Sequence, residues 1–355
     1  MQRYLSNLIA VNGLITLDEF ISTAMCHPFY GYYAKQNPIK KDFITSPEIT
    51  NAFGIVIANF IINKLLTLKN LDATEEIHLV EFGGGSGKLA FDVLSFIFNL
   101  NKLNNKKINS VIKKISFHSI EFSSKLKLIQ KNKLKNISLK KYFWNNISEF
   151  DECLKSREVC QNNIFVFLSN EFFDALPIKQ FVRNEGSFFE IIVTEKDNNF
   201  IFEKIKINSD KLKLIPENIK LIKNDIIELP IVGMKIIEDI VKLIQKNKFI
   251  FLAFDYGFVG GCNESTLQGI CRGVKTSNIL KNVGDTDITH LVNFELLLNA
   301  FYKYNIKPSI QTQREFLVAN GINSVVNREN KIGIDRIIDA SQMGNLFKMA
   351  LAERL

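Results

Sequence analysis

The stretch Ile77-His-Leu-Val-Glu-Phe-Gly-Gly-Gly-Ser-Gly-Lys-Leu89 decides how this chain is read. Ile77 to Val80 is an apolar run of strand composition, and Lys88 to Asn99 carries a helical pattern. Gly83, Gly85 and Gly87 fall where a strand must turn sharply into a helix. Glycine reaches positive φ without a Cβ clash and lets a ligand come close to the backbone. The helix beyond presents free N–H groups and the positive end of its dipole. A nucleotide-type cradle results. A phosphate loop of the form G-x-x-x-x-G-K-[ST] is excluded, because Leu89 follows Lys88. The form G-x-G-x-x-G fits poorly, because Gly87 falls one residue early. What stands here is acid-x-G-x-G-x-G, with Glu81 at the strand end.

Outward from the loop, Ile115 to Ile120 reads as a second strand ending at Glu121. An acid at that point can grip the two hydroxyls of a ribose. The distance from the loop exceeds the usual figure of about twenty residues. The polar, lysine-rich segment Asn101 to Lys114, read as a surface extension, accounts for the difference. Asp92 lies nearer but falls within the helix, pointing away from the cradle. Ile137 to Phe143 reads as a third strand. Asn163 to Ser169 is continuously apolar, as a strand buried on both faces should be. It runs into Asn170-Glu-Phe-Phe-Asp-Ala-Leu-Pro177. Ligands of open α/β sheets bind outside the carboxyl ends of the strands, which makes Asn170, Glu171 and Asp174 candidates. If this segment turns helically, Glu171 and Asp174 share a face. Two carboxylates beside two phenylalanines are costly to bury without a cationic partner. That partner is a metal, an arginine or lysine, or a cationic substrate. Phe249 to Phe254 resumes the buried sheet and ends in Asp255-Tyr-Gly.

The flanks read as follows. Within Leu8 to Ala24, Thr16 and Glu19 make a capping box that opens a helix. His27-Pro-Phe-Tyr-Gly-Tyr-Tyr33 is a turn, either a packed loop or the lining of a substrate entrance. Thr45 and Glu48 form a second capping box, with Pro47 in the first turn and Ile55 to Leu66 continuing the helix. Phe181 to Ile207 is β-rich and turns at Asp197-Asn-Asn, an antiparallel insertion. Ile236 to Lys246 and Phe294 to Tyr304 read as helices, Thr266 to Thr289 as loop-rich, Lys307 to Thr312 as a strand, and Met343 to Glu353 as a C-terminal helix. The expected organisation is an N-terminal helical segment over 1–70 and a first part of an α/β core over 71–177. A β-rich insertion follows over 178–247, and the rest of the core with C-terminal helices over 248–355.

Bulk properties bound the function. At 355 residues the chain holds a large core and more than one structural unit. It has no apolar run of about eighteen residues, so no transmembrane helix is expected. The net charge of +8 comes with abundant Lys, Asn, Ile and Phe, the bias of an A- and T-rich genome, and nucleic acid is not the expected partner. Five scattered cysteines with no C-x-x-C and four histidines with no H-E-x-x-H point to reduced thiols and to no metal site. No targeting leader is visible, which favours a bacterial cytoplasm.

The acid-x-G-x-G-x-G loop resembles that of class I S-adenosyl-L-methionine (SAM) methyltransferases. Gly31-Tyr-Tyr, Asp42-Phe-Ile-Thr-Ser-Pro-Glu-Ile, Asn170-Glu-Phe-Phe-Asp-Ala-Leu-Pro, Asp255-Tyr-Gly, Gly284-Asp-Thr-Asp-Ile-Thr, Gln313-Arg-Glu-Phe-Leu and Met343-Gly-Asn-Leu-Phe-Lys extend the likeness across nearly the whole chain. Together they resemble the MidA-like family, the mitochondrial complex I assembly-factor methyltransferases and their bacterial relatives. The resemblance implies a Rossmann-like class I methyltransferase sheet with an N-terminal helical segment and a β-rich insertion. SAM is the implied cofactor. The implied activity is dimethylation of an arginine in a protein such as a respiratory complex I subunit, in the mitochondrial matrix for the eukaryotic relatives. Family roles fall on Glu81, Gly83, Gly85, Gly87 and Glu121 for SAM, and on Asn170, Glu171 and Asp174 as the catalytic string. Trp144 either stacks near the adenine or belongs to the core. Members often have Pro and Arg where this chain has Gly84 and Ser86, and Gly where it has Lys41. Competing functions are a non-catalytic SAM-binding assembly chaperone, an NAD-dependent oxidoreductase, and a methyltransferase acting on RNA or a small molecule.

Overall fold

The computed structural model describes residues 1–35, 44–68, 71–74, 76–156, 162–184, 186–216, 226–244, 247–262 and 264–355. Lys41 and the Asp42-Phe43 pair of the second motif, the Lys246 end of a helix, and Cys160 lie outside them. The chain forms two compact units. One comprises Met1–Phe43, Phe173–Lys235 and Gly257–Asn299; the other comprises Ile44–Phe172, Ile236–Tyr256 and Ala300–Leu355.

The unit with the glycine loop is an α/β layer structure. Its sheet runs in the order Ser309–Thr312, Phe347–Arg354, Lys248–Phe258, Ile164–Asn170, Ile77–Phe82, Ile115–Ile120, Lys140–Trp144. The last five strands in that order pair in parallel, in the register Ile77↔Ile115, Ile77↔Ile164 and Lys248↔Ile164. Every residue of Ile77–Phe82 and of Ile115–Ile120 is buried, the pattern of strands covered on both faces. Helix Lys88–Asn99 buries Leu89, Ala90, Val93, Leu94 and Ile97, one apolar stripe at helical spacing. Helix Ala52–Leu66 packs on it, and a Cβ at Gly54 would stand 2.6 Å from Asp92 Cβ, so glycine permits the close approach.

Two expectations change here. Asn101 to Lys114 is not a bare surface extension. Lys106–Lys114 is a helix capped by the Asn105 side chain and buried through Val111. Met343 to Glu353 is not a helix. Only Met343–Leu346 turns helically, and Phe347–Arg354 is a strand pairing antiparallel with Phe249 to Tyr256. Phe347, Met349, Ala350 and Ala352 are buried there, so sheet pairing and burial override the helix propensity of Met, Ala and Leu.

The other unit is mostly antiparallel. A five-stranded sheet takes Ile15–Thr16 from the N-terminal segment together with Lys179–Asn184, Ser187–Lys196, Asn199–Lys206 and Ile226–Leu229. The expected hairpin forms at Asp197 and Asn198, with φ 50° and 59°, as a two-residue turn between right-twisted strands requires. Helix Leu17–Cys26 opens with the expected Thr16–Glu19 capping box and buries Leu17, Phe20, Ile21, Ala24 and Met25. Thr266 to Thr289 is more ordered than expected. Gln268–Cys271, Val274–Thr276 and Thr286–Thr289 form a three-stranded sheet, turning at Arg272 and Gly273 with φ 53° and 77°.

Candidate cofactor and active site

The parallel strands bring their carboxyl ends into line, since Phe82 pairs with Ile120 and Ser169, and Asn170 with Phe254. Within three residues of four of the five ends stands an acid: Glu81, Glu121, Glu171 and Asp255. Chain order reverses between Ile77–Phe82 and Ile164–Asn170, the switch point where open α/β sheets take ligands.

The glycine loop has the expected backbone. Gly83, Gly85 and Gly87 adopt φ 63°, 51° and 73°. A Cβ at Gly83 would lie 2.5 Å from Phe172 Cδ2, and one at Gly84 would lie 2.5 Å from Glu81 Oε2. The Gly83 amide donates to Ile120 O at 3.0 Å, and the Gly87 amide to Gly84 O at 2.7 Å. Ser86 donates to the Glu48 carboxylate. Glu48 therefore serves the loop, and the Thr45 side chain makes no capping bond; the expected second capping box does not form.

Glu81 and Glu121 are buried, and among the described residues neither makes an ion pair. Among the described residues, Glu81 Oε2 has no hydrogen-bond partner. Burial, and after it the charge of Glu121, pushes Glu81 up to about 8, against a smaller opposing pull from the Ala90 amide. Burial likewise pushes Glu121 up to about 7, opposed by the amides of Ser123 and Gly85, by Gln130 and by the Lys127 charge. The Ser123 amide donates to Glu121 Oε1 at 3.0 Å. Asp92, also buried, is paired with Lys88 in its own helix and stays out of this set.

Asn170 and Glu171 stand at the end of the fourth parallel strand. Glu171 adopts φ 49°, a left-handed conformation that costs a non-glycine residue energy and marks functional positions. Its amide donates to Phe254 O at 2.9 Å. Its Oε1 accepts from the Ser46 amide at 3.3 Å and from Asn170 Nδ2 at 3.2 Å. Asp255, fully buried, accepts from the Phe172 and Tyr256 amides and so fixes this strand end. The helical face expected of Glu171 and Asp174 does not form, because the turn covers only Phe173–Ala175. The unit boundary falls between Phe172 and Phe173, which assigns Asp174 to the other unit. There Asp174 is buried, and its carbonyl accepts from the His290 amide at 3.1 Å. Burial, then the charges of Asp287 and Asp174, hold the Tyr33 hydroxyl well above its ordinary range.

Trp144 is half-buried, donates to His118 Nδ1 at 3.2 Å and lies with its ring nearly parallel to those of His118 and Tyr142, a packed aromatic network. Gln130, which the sequence reading passed over, is 1% exposed and reaches both Gly85 and Glu121. Its signal was there: it lies on the apolar stripe Leu126, Gln130, Leu134, where a polar residue needs a buried partner.

An open parallel sheet, an acid-x-G-x-G-x-G loop at its switch point and a following buried acid define the class I methyltransferase architecture. A family model described as "Putative S-adenosyl-L-methionine-dependent methyltransferase" matches residues 56–310. The chain is 28% identical over 354 residues to the Caenorhabditis elegans protein named a mitochondrial protein arginine methyltransferase NDUFAF7 homolog, covering 95% of this chain and 80% of that one. It is 27% identical to the Danio rerio protein named NDUFAF7, covering 98% and 85%. In fold it is similar to a Burkholderia thailandensis protein crystallised with S-adenosyl-homocysteine, at 19% identity and TM-score 0.76, covering 99% of this chain and 91% of that chain. The chain belongs to the MidA-like family of SAM-dependent methyltransferases.

The residues present fit that cofactor. An orphaned buried carboxylate oxygen on Glu81, beside a loop where Gly83 and Gly84 leave no room for a Cβ, suits a cationic ligand close to the backbone. No helix among the described residues is long and apolar enough to cross a membrane.

Proposed function

We propose that this protein methylates an arginine side chain of a protein substrate, a respiratory complex I subunit being the first acceptor to test. The observation that carries the reading is Glu171, a carboxylate held in a strained backbone at the strand end nearest the switch point. The protein arginine methyltransferase names of the relatives support it.

Bound SAM supplies a methyl group on a sulfonium, so the transfer itself asks for no further activation of the donor. Glu81, Glu121 and the glycine loop are the proposed cofactor site. An arginine remains cationic at any working pH. Its nitrogen attacks only if the positive charge is held and one lone pair is directed at the methyl. A carboxylate does both through paired charge-assisted hydrogen bonds. Glu171 is assigned that role, with Asn170 orienting it through its Nδ2 contact, and Asp174 remains a catalytic candidate within its own unit. Positioning and exclusion of water then supply most of the rate. We place the protein in a bacterial cytoplasm; five scattered cysteines with no C-x-x-C suit a reducing compartment.

The test is incubation of the purified protein with methyl-labelled SAM and complex I subunits, followed by mass spectrometry. Label on arginine is the expected result. Label confined to lysine, to RNA or to a small molecule would replace the acceptor assignment, and no transfer despite SAM binding would favour an assembly chaperone.

A further inference from the structure

Gln130 is the only side chain among the described hydrogen bonds that joins the glycine loop to the acid after the second strand. It sits on helix Ser124–Leu134 and is 1% exposed. Ser119 Oγ donates to its Oε1 at 2.6 Å. Its Nε2 donates to Gly85 O at 3.1 Å and to Glu121 Oε2 at 3.4 Å. An amide has two donors and one acceptor group, and all are engaged. The orientation is forced. The opposite one would aim Oε1 at the Gly85 carbonyl and the Glu121 carboxylate, which only accept. Gln130 also shapes the loop. A Cβ at Gly87 would meet Gln130 Cγ at 3.2 Å, and one at Gly84 would meet its Nε2 at 3.2 Å.

We propose that Gln130 is a positioning residue for SAM: its amide ties the glycine loop to Glu121, so that backbone and carboxylate face the cofactor in one fixed geometry. This rests on Glu121 contacting the cofactor. A donor on Glu121 Oε2 favours the carboxylate over the acid, which gives the role a pH dependence that packing alone lacks. The groups facing Glu121 are Glu81 from the first strand, the Gly85 and Ser123 amides, Gln130, and Lys127 from the same helix as Gln130. Only Glu81 and Glu121 titrate near neutrality.

The experiment is calorimetric titration of Gln130→Met with SAM and with S-adenosylhomocysteine from pH 6.5 to 9. Methionine keeps length and helix propensity and removes every hydrogen bond. Loss of a hydrogen bond to a charged group corresponds to about tenfold in affinity at pH 7. That loss should shrink to about two- to threefold at pH 9, where Glu121 ionises without help. Ser119→Ala, which leaves Gln130 in place but frees its amide, should show the same trend at about threefold and serves if Gln130→Met does not fold. A loss of equal size at every pH, or none, overturns the proposal. Wild-type protein that binds neither compound overturns the cofactor site itself, a failure told apart by the wild-type titration alone.

Discussion

Buried carboxylates are used in two opposite ways here. In the antiparallel unit, Glu190 is fully buried and accepts from both Lys179 and Lys211, and Lys179 also pairs with Asp18. Its charge is matched inside the protein. In the α/β unit, Glu81 and Glu121 are equally hidden, yet they are held by amides and lie beside each other, with the Lys127 charge only a minor influence on Glu121 and no ion pair to either among the described residues. Glu190 is complete without a ligand. On the proposed cofactor site, the orphaned oxygen of Glu81 is met by a cationic ligand, and SAM is a cation. A buried acid with its own lysines belongs to the fold, whereas one left with an orphaned oxygen at a switch point belongs to the ligand.

Four substitutions sharpen or break this contrast. Glu190→Ala leaves Lys179 and Lys211 around an uncompensated hole and should cost about 3–5 kcal/mol of stability, read by urea unfolding, with SAM affinity of the folded protein unchanged. Glu171→Gln should lower methyl transfer about a hundredfold with SAM affinity unchanged, read by single-turnover labelling; an effect on affinity alone would move Glu171 into the cofactor site. Glu81→Gln should stabilise the empty protein at pH 8 by about 2 kcal/mol, a few degrees in Tm, with the effect vanishing below about pH 4. Glu121→Gln should weaken SAM about tenfold, read by calorimetry, while not destabilising the empty protein. Loss of stability in Glu81→Gln or Glu121→Gln at pH 8 would show that these two acids belong to the fold after all.

Much of this was legible in the sequence. Glu81, the three glycines and Glu121 are local to strand ends, and strands buried on both faces announce themselves as apolar runs, as Ile164–Asn170 does. What escaped depended on distant partners. Phe347–Arg354 is made of helix formers and becomes a strand only because Phe249 to Tyr256 pairs with it. Glu48 looked like a capping residue, but Ser86 claims its carboxylate from 38 residues away. The shared face of Glu171 and Asp174 assumed helical backbone at Glu171, and the left-handed turn there is set by its bond to Phe254, far along the chain.

The most direct measurement is the thermal unfolding temperature of the protein with and without saturating SAM between pH 5 and 9. The folded state holds protons on Glu81 and Glu121 more tightly than the unfolded chain does. The empty protein therefore loses stability as pH rises from about 4.5 through about 8. On the proposed cofactor site SAM binds the ionised pair, and the gap between the two curves should then widen as pH rises. A gap that stays constant across the range would contradict the claim that these acids wait for a cation.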